Sequence, residues 1–173
     1  RVGLLNIGAE PSKGTELYQE TYQHLSRLAE DHKLNFVGNV EGRNAVEGAA
    51  DVIVADGFTG NIFLKTMEGT AGYISQEIKK IFLKSARTKA AALMIKGDLG
   101  GFRRKFDYRE VGGTALLGIA KPVIKAHGSS DAYAFRSAVK QAISYAEGKV
   151  TQRIEQQLAQ EAALQTTQKE VEE

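Results

Sequence analysis

The chain has 173 residues, 42% of them hydrophobic and 25% charged, a composition that suits a soluble globular protein large enough to bury a core. It has no cysteine, which excludes disulfides, thiolate zinc sites and a cysteine nucleophile, and three scattered histidines, His24, His32 and His127, argue against a histidine metal site. The net charge of +2 conceals a block from Lys79 to Lys105 with nine basic residues and one acid, Asp98, and a block this one-sided meets an anionic partner or forms a solvated face.

Val2 to Ile7 reads as a strand that begins almost at the first residue, Arg1, as if cut from a longer protein. No apolar run is long enough to span a bilayer and no secretory signal is visible, so the expected compartment is the cytoplasm. Gly8 to Gly14 is a loop with one proline and two glycines. Lys13 and Gly14 could touch a phosphate there, although an ordinary surface loop accounts for them better. From Thr15 the period is helical. Tyr18, Tyr22, Leu25 and Ala29 share one face with Leu17 and Leu28 beside them, and they read as core, whereas His24 and His32 read as surface residues. Leu34 to Val40 is a second strand ending in the turn Glu41-Gly42-Arg43-Asn44, whose charged pair suits either a site or an ion pair that fixes the turn. Ala45 to Ala50 is a short helix or connector. The alternation predicts an α/β protein with a mostly parallel sheet.

Asp51 to Lys65 carries the strongest local signal. Val52-Ile53-Val54 reads as a buried strand, followed by Asp56-Gly57-Phe58-Thr59-Gly60-Asn61 and a second apolar run from Ile62. A Gly-rich turn at the carboxyl end of such a strand, running into a helix, is where ligands and anions bind in open α/β sheets. An ordinary turn has the same composition, and the local pattern does not separate the two. Thr66 to Ser85 reads as a helix with Ile74, Ile78, Ile81 and Phe82 on one face.

Within the basic block, Leu93-Met94-Ile95, with Leu99 and Phe102 close by, lies between cations. Short apolar segments flanked by Lys and Arg suit an anionic membrane surface or a helical dimer contact. Nucleic acid fits less well, because aromatic residues are not interleaved with the cations. Tyr108 to Gly118 holds a Gly-Gly turn and a short strand, and Val123 to Ala126 is a last strand ending in His127-Gly128-Ser129-Ser130-Asp131. The helix after it has Ala132, Phe135, Val139, Ala142, Ile143 and Ala146 as its expected buried face, with Ser129 or Ser130 as N-cap and Asp131 in the first turn. Taken alone, this junction is a capped helix beside a hydrogen-bonded histidine. Gln152 to Glu173, with Ile154, Leu158 and Leu164, allows a weakly amphipathic helix that carries no chemistry.

Three blocks, Phe36-Val37-Gly38-Asn39-Val40-Glu41-Gly42-Arg43, Ala50-Asp51-Val52 through Asp56-Gly57-Phe58-Thr59-Gly60-Asn61 to Lys65-Thr66, and Pro122-Val123-Ile124-Lys125-Ala126-His127-Gly128-Ser129-Ser130, closely resemble the bacterial phosphate acyltransferase (PlsX) family. Leu4-Leu5-Asn6-Ile7-Gly8 and Tyr108 with Gly112-Gly113 fit as well, so the resemblance runs from Arg1 to about Glu147. It implies a three-layer α/β sandwich with a mostly parallel or mixed sheet, similar to isocitrate and isopropylmalate dehydrogenases. It makes 1–147 the C-terminal portion of that fold, with 79–105 as a projecting basic helical tip, and 148–173 a polar helical or frayed tail. The family's N-terminal Asp- and Gly-rich phosphate-loop region has no counterpart here.

The implied reaction moves a fatty acyl group from acyl-acyl carrier protein to inorganic phosphate, giving acyl phosphate for phospholipid synthesis. It needs no cofactor and no metal. Phosphate attacks the thioester itself, so the protein supplies a phosphate cradle, orientation and donors for the oxyanion. Asn61 and His127 are the expected catalytic residues. Asp56, Gly57, Thr59, Gly60, Lys65, Lys125, Gly128, Ser129 and Ser130 are expected around phosphate or substrate, with Asp56 ordering its loop, since its charge repels phosphate. Leu93, Met94, Ile95, Leu99 and Phe102 are expected to insert into membrane, and cations such as Arg103, Arg104 and Lys105 to meet lipid or an acidic carrier protein. The resemblance further implies a homodimer at the inner face of the cell membrane. Two other readings are a phosphotransacetylase-like enzyme using acyl-coenzyme A and a non-catalytic membrane-binding or dimerisation module.

Overall fold

Strand β1 (Val2–Asn6) is the centre of a three-stranded parallel sheet of order β2-β1-β3, with β2 at Phe36–Glu41 and β3 at Val52–Val54. These positions come from a computed structural model that describes residues 1–105 and 107–172, apart from the side chains of Phe102, Arg103, Lys105, Tyr108, Glu161 and 163–172. The chain divides into two units, Arg1–Ile81 and Phe82–Glu173.

The first unit follows the expected alternation. Leu4, Leu5, Val40 and Ala50 are buried around the sheet. Leucines buried this fully stabilise a fold by roughly 1.5–3 kcal/mol each. Helix α1 (Glu16–Glu30) joins β1 to β2 and lays Tyr18, Tyr22, Leu25, Leu28 and Ala29 half-buried toward the sheet, while Leu17 stays exposed. Tyr22 meets Phe36 of β2 edge-on, ring centroids 5.4 Å apart, an arrangement the aromatic quadrupole favours. The helix ends at Glu30, and the chain turns away from it at His32. The His32 N–H bonds the Ala29 carbonyl and the Lys33 N–H the Leu28 carbonyl, with His32 at φ 55°. This is a Schellman stop, and it gives His32 a structural role. Helix α2 (Gly42–Val46) then leads toward β3.

Helix α3 (Gly57–Leu83) corrects the expected boundary. The glycines at 57 and 60 suggest a turn followed by a helix from Thr66, but residues 57–65 are already helical. Asp56 supplies the N-terminal hydrogen bonds that offset the poor helix propensity of glycine. The face expected to be buried is partly open: Ile78 and Phe82 are half-buried, while Ile74 and Ile81 are exposed.

In the second unit, α4 (Ala86–Met94) starts on a capping box formed by Ser85 and Thr88 and is followed by α5 (Lys96–Lys105). After α6 (Tyr108–Val111), strands β4 (Gly113–Ala115) and β5 (Ile124–Ala126) pair antiparallel, as a sheet separate from the parallel one. Helix α7 (Ala132–Glu147) packs on this pair and on α6. Its buried residues are Ala134 and Ala138, whereas Phe135, Val139 and Ile143 of the expected face are exposed. Gly112 explains the reversal. It has φ 79°, and a Cβ there would overlap the Ala134 carbonyl and the Ala138 nitrogen. An approach this close admits only small residues on the contact side of α7. Helix α8 (Val150–Glu172) ends the chain. Ile154 is half-buried and Leu158 exposed, and the side chain of Leu164 is outside the described residues. Among the described residues, no helix is long and apolar enough to cross a membrane.

Candidate functional site

In the first unit, the chain leaves β1 for β2 on one side and returns to β3 on the other. The carboxyl ends of β1 and β3 therefore flank the point where the winding reverses, and open α/β sheets bind ligands outside that point. Two segments converge there, the loop Ile7–Thr15 and the start of α3.

Asn6, at the end of β1, organises the first of these. Its amide nitrogen donates to the Lys13 carbonyl and to Asn39 Oδ1, each at 3.1 Å, and its oxygen accepts the Ile7 N–H at 2.8 Å. Asn39, a buried polar residue of β2, donates to the Glu10 carbonyl at 2.8 Å. Gly14 sits at φ 89°, where a Cβ would lie 2.9 Å from Asn6 Oδ1. Lys13 and Gly14 are thereby held on a fixed loop. The signal for this network in the sequence is an asparagine inside each of two strands, Leu-Leu-Asn-Ile and Val-Gly-Asn-Val, where apolar residues are expected.

Asp56 organises the second segment. Its carboxylate accepts the N–H groups of Phe58 at 2.8 Å and Thr59 at 2.9 Å, and the Tyr18 hydroxyl donates to it. The Asp56 carbonyl accepts the Gly60 N–H at 2.9 Å. Hydrogen bonding from the Thr59 side chain, then from Tyr18 and the main chain, holds the Asp56 carboxyl well below the usual carboxylate range. Asp56 is thus the anion that caps α3, and the first N–H groups of the helix serve it. Tyr18, which the helical period places in the core, is instead the strut that ties α1 to this corner. Gly57 and Asn61 are exposed at the start of α3, and Gly60 and Thr59 are half-buried. Lys65 lies farther along the helix, 2.8 Å from Glu68 Oε2. At the β2 end, Arg43 contacts Asn44 at 3.5 Å, and no ion pair joins it to Glu41 among the described residues. One concavity of about 490 Å³ lies at the amino end of β2, lined by His32, Lys33 and Phe36 among others. It is at the opposite end of the strand from Glu41 and plays no part at this corner.

In the second unit, His127 to Ser130 form one tight turn at the end of β5. The Ser130 N–H bonds the His127 carbonyl at 3.0 Å. His127 Nδ1 lies 2.7 Å from Ser129 Oγ and accepts the Ser129 N–H at 3.2 Å. Among the described residues the buried Ser130 hydroxyl has no hydrogen-bond partner, and such a donor costs free energy unless something meets it. Lys125 is exposed on β5, and Gly128 is exposed in the turn.

The cap of α7 is Asp131, not a serine: the helix begins at Ala132, which puts Asp131 at the N-cap, where it accepts the Ala134 N–H at 2.8 Å. That bond, ahead of Arg109, holds the Asp131 carboxyl below its ordinary range. Arg109 reaches Asp131 at 3.2 Å and binds both Asp107 oxygens, at 2.8 and 2.6 Å. This clamp behind the turn has no motif in the sequence, since its members are ordinary surface types 22 residues apart.

The basic segment forms α4 and α5. Leu93 and Met94 are 73% and 87% exposed where α4 meets α5, with Ile95 exposed beside them. Arg87, Lys89, Lys96 and Arg104 are exposed around them, and Leu99 is half-buried. The side chains of Phe102, Arg103 and Lys105 lie outside the described residues. Among the described residues, no cluster of three His, Cys, Asp or Glu side chains could hold a metal.

Residues 1–153 match the family model described as "Fatty acid synthesis protein". The chain is 49% identical over 160 residues to the phosphate acyltransferase of Anoxybacillus flavithermus, covering 92% of this chain and 47% of that protein. It is 50% identical over 151 residues to the phosphate acyltransferase of Oceanobacillus iheyensis, covering 87% of this chain and 44% of that protein. The phosphate acyltransferase of Staphylococcus aureus is 48% identical over 142 residues, 82% of this chain and 42% of the relative. The chain therefore spans about half the length of the curated relatives it matches.

Proposed function

This chain belongs to the fatty acid synthesis protein family whose members include the phosphate acyltransferases, and from that premise we propose that it serves transfer of a fatty acyl group from acyl-acyl carrier protein to inorganic phosphate. The observation that carries the proposal is near-half identity to phosphate acyltransferases across nine-tenths of the chain. On this reading the parallel three-stranded sheet belongs to a three-layer fold similar to isocitrate and isopropylmalate dehydrogenases.

In the proposed reaction a phosphate oxygen attacks the thioester carbonyl carbon. The new C–O bond forms, the C–S bond breaks, and the electron pair leaves with sulfur, which takes up a proton to become the carrier thiol. Negative charge develops on the carbonyl oxygen and then on sulfur, so hydrogen-bond donors aimed at these atoms lower the barrier. We assign Gly57, Thr59, Gly60 and Asn61 to orient phosphate or the acyl carbonyl, with Gly57 and Gly60 allowing close approach at the start of α3. Asp56 orders that corner, because as a carboxylate it would repel phosphate. His127 donates to an oxygen or moves a proton. Gly128, Ser129 and Ser130 bind phosphate, and the unpaired Ser130 hydroxyl supports their role. Lys65 and Lys125 supply positive charge, Lys65 being shared with Glu68.

The exposed Leu93, Met94 and Ile95 among cations support peripheral attachment to anionic lipid at the inner face of the cell membrane, with Leu99 and Phe102 assigned to the same surface. The apolar side chains left open on α3 and α7 support a homodimer. Asn61→Ala and His127→Ala test the assignment: each is expected to lower phosphate-dependent acyl transfer by about 100-fold or more while the circular dichroism spectrum stays unchanged. Full turnover in either variant removes that residue from the site.

A further inference from the structure

Which nitrogen of a histidine carries the proton is ordinarily left open by geometry, since a hydroxyl can rotate to suit either tautomer. The turn after β5 removes that freedom. The Ser129 main-chain N–H donates to His127 Nδ1 at 3.2 Å. A main-chain N–H cannot act as an acceptor, and the nitrogen that receives it holds a lone pair and no proton. The Ser129 hydroxyl lies 2.7 Å from the same nitrogen, and a hydroxyl facing a lone pair can donate to it.

The turn that presents this N–H is fixed from both ends. Before it, Ala126 of β5 pairs with Gly113 of β4. Across it, the Ser130 N–H bonds the His127 carbonyl. After it, Asp131 caps α7 and is held by Arg109, which is itself clamped on Asp107. The imidazole therefore meets a donor at Nδ1 that the fold keeps in place.

We infer that this turn holds neutral His127 in the tautomer protonated at Nε2, so that its Nε2–H is a hydrogen-bond donor toward the reacting groups and not a base. The Ser129 main-chain N–H then positions His127, apart from the phosphate role assigned to Ser129 above, and Arg109 and Asp131 fix the turn that carries it. The tautomer follows from the geometry alone; what Nε2–H donates to rests on the acyl transfer proposed above, where it suits the developing charge on the carbonyl oxygen or the departing sulfur.

Two measurements test this. The chain labelled with ¹⁵N-histidine, recorded in two-bond ¹H–¹⁵N correlation spectra about two pH units above the ordinary histidine value of about 6.5, gives the tautomer directly, with His127 assigned by its loss in His127→Ala. A protonated Nε2 and an unprotonated Nδ1 are expected, and the same pattern in Ser129→Ala, which keeps the N–H. Protonated Nδ1 in the parent chain, or a mixture of tautomers in either, overturns the inference. The second measurement compares His127→Gln, whose amide nitrogen falls near Nε2, with His127→Asn, whose amide falls near Nδ1. The Gln variant is expected to keep about tenfold more kcat/KM, the effect of one net hydrogen bond. Equal or reversed activities overturn the donor role. Absence of any acyl transfer to phosphate in the parent protein sinks the proposed reaction and leaves the spectroscopic result to stand by itself.

Discussion

Asp56 shows how a single side chain can hold a strand-to-helix corner together. Its carboxylate receives Tyr18, Phe58 and Thr59, and the hydrogen bonds hold its carboxyl below the ordinary range. A carboxyl depressed in the folded state stabilises the fold fully above the unfolded value of about 3.9, and loses that contribution as the pH falls toward the folded value. Asp56→Asn is therefore expected to lower the Tm at neutral pH, with the gap to the parent chain narrowing below about pH 4 as Asp56 of the unfolded parent chain takes up a proton. A gap that stays constant from neutral to strongly acid solution would show that the carboxylate charge adds nothing. The same residue marks a limit of sequence reading. The Asp-Gly-Phe-Thr-Gly-Asn string identifies a strand-to-helix junction, but Tyr18 joins it from 38 residues away, and no local pattern announces that bond.

At the scale of elements, the alternation of apolar runs located the parallel strands and α1, although the expected burial holds for β1 and not for β3, where Val52 is exposed. Period and burial also disagree in α7. The stripe Phe135, Val139 and Ile143 has the right spacing for a core face, yet the contact side is Ala134 and Ala138, because Gly112 brings the backbone of the neighbouring turn against the helix. Hydrophobicity ranked the large residues first, whereas proximity selected the small ones. Gly112→Ala combines a left-handed backbone with a clash, so a loss of at least about 1–2 kcal/mol from the backbone strain alone is expected in urea unfolding. Unchanged stability would mean that the turn can withdraw from α7.

The segment of α4 and α5 was legible from composition, as an apolar triplet inside a basic block. Its exposure was not, since the same triplet would suit a dimer core. Leu93→Glu combined with Ile95→Glu is expected to release the protein from anionic vesicles in a flotation assay, with neutral vesicles as control. Undiminished retention would leave the segment as a contact for protein.

For the molecule as a whole, two kinds of information met. The sheet order β2-β1-β3 directs attention to the carboxyl ends of β1 and β3, and a second polar group, the His127 turn, lies at the end of β5. Physical reasoning about either group alone stops at an anion or a polar ligand. The acyl thioester enters through kinship with phosphate acyltransferases. The most direct test of the account is therefore chemical. The protein carrying this chain, given acyl-acyl carrier protein with and without inorganic phosphate, is assayed for acyl phosphate by trapping with hydroxylamine, with acyl-coenzyme A as the alternative donor. The account predicts a hydroxamate that requires phosphate and forms faster from the carrier thioester. No phosphate-dependent hydroxamate from the carrier thioester would contradict it.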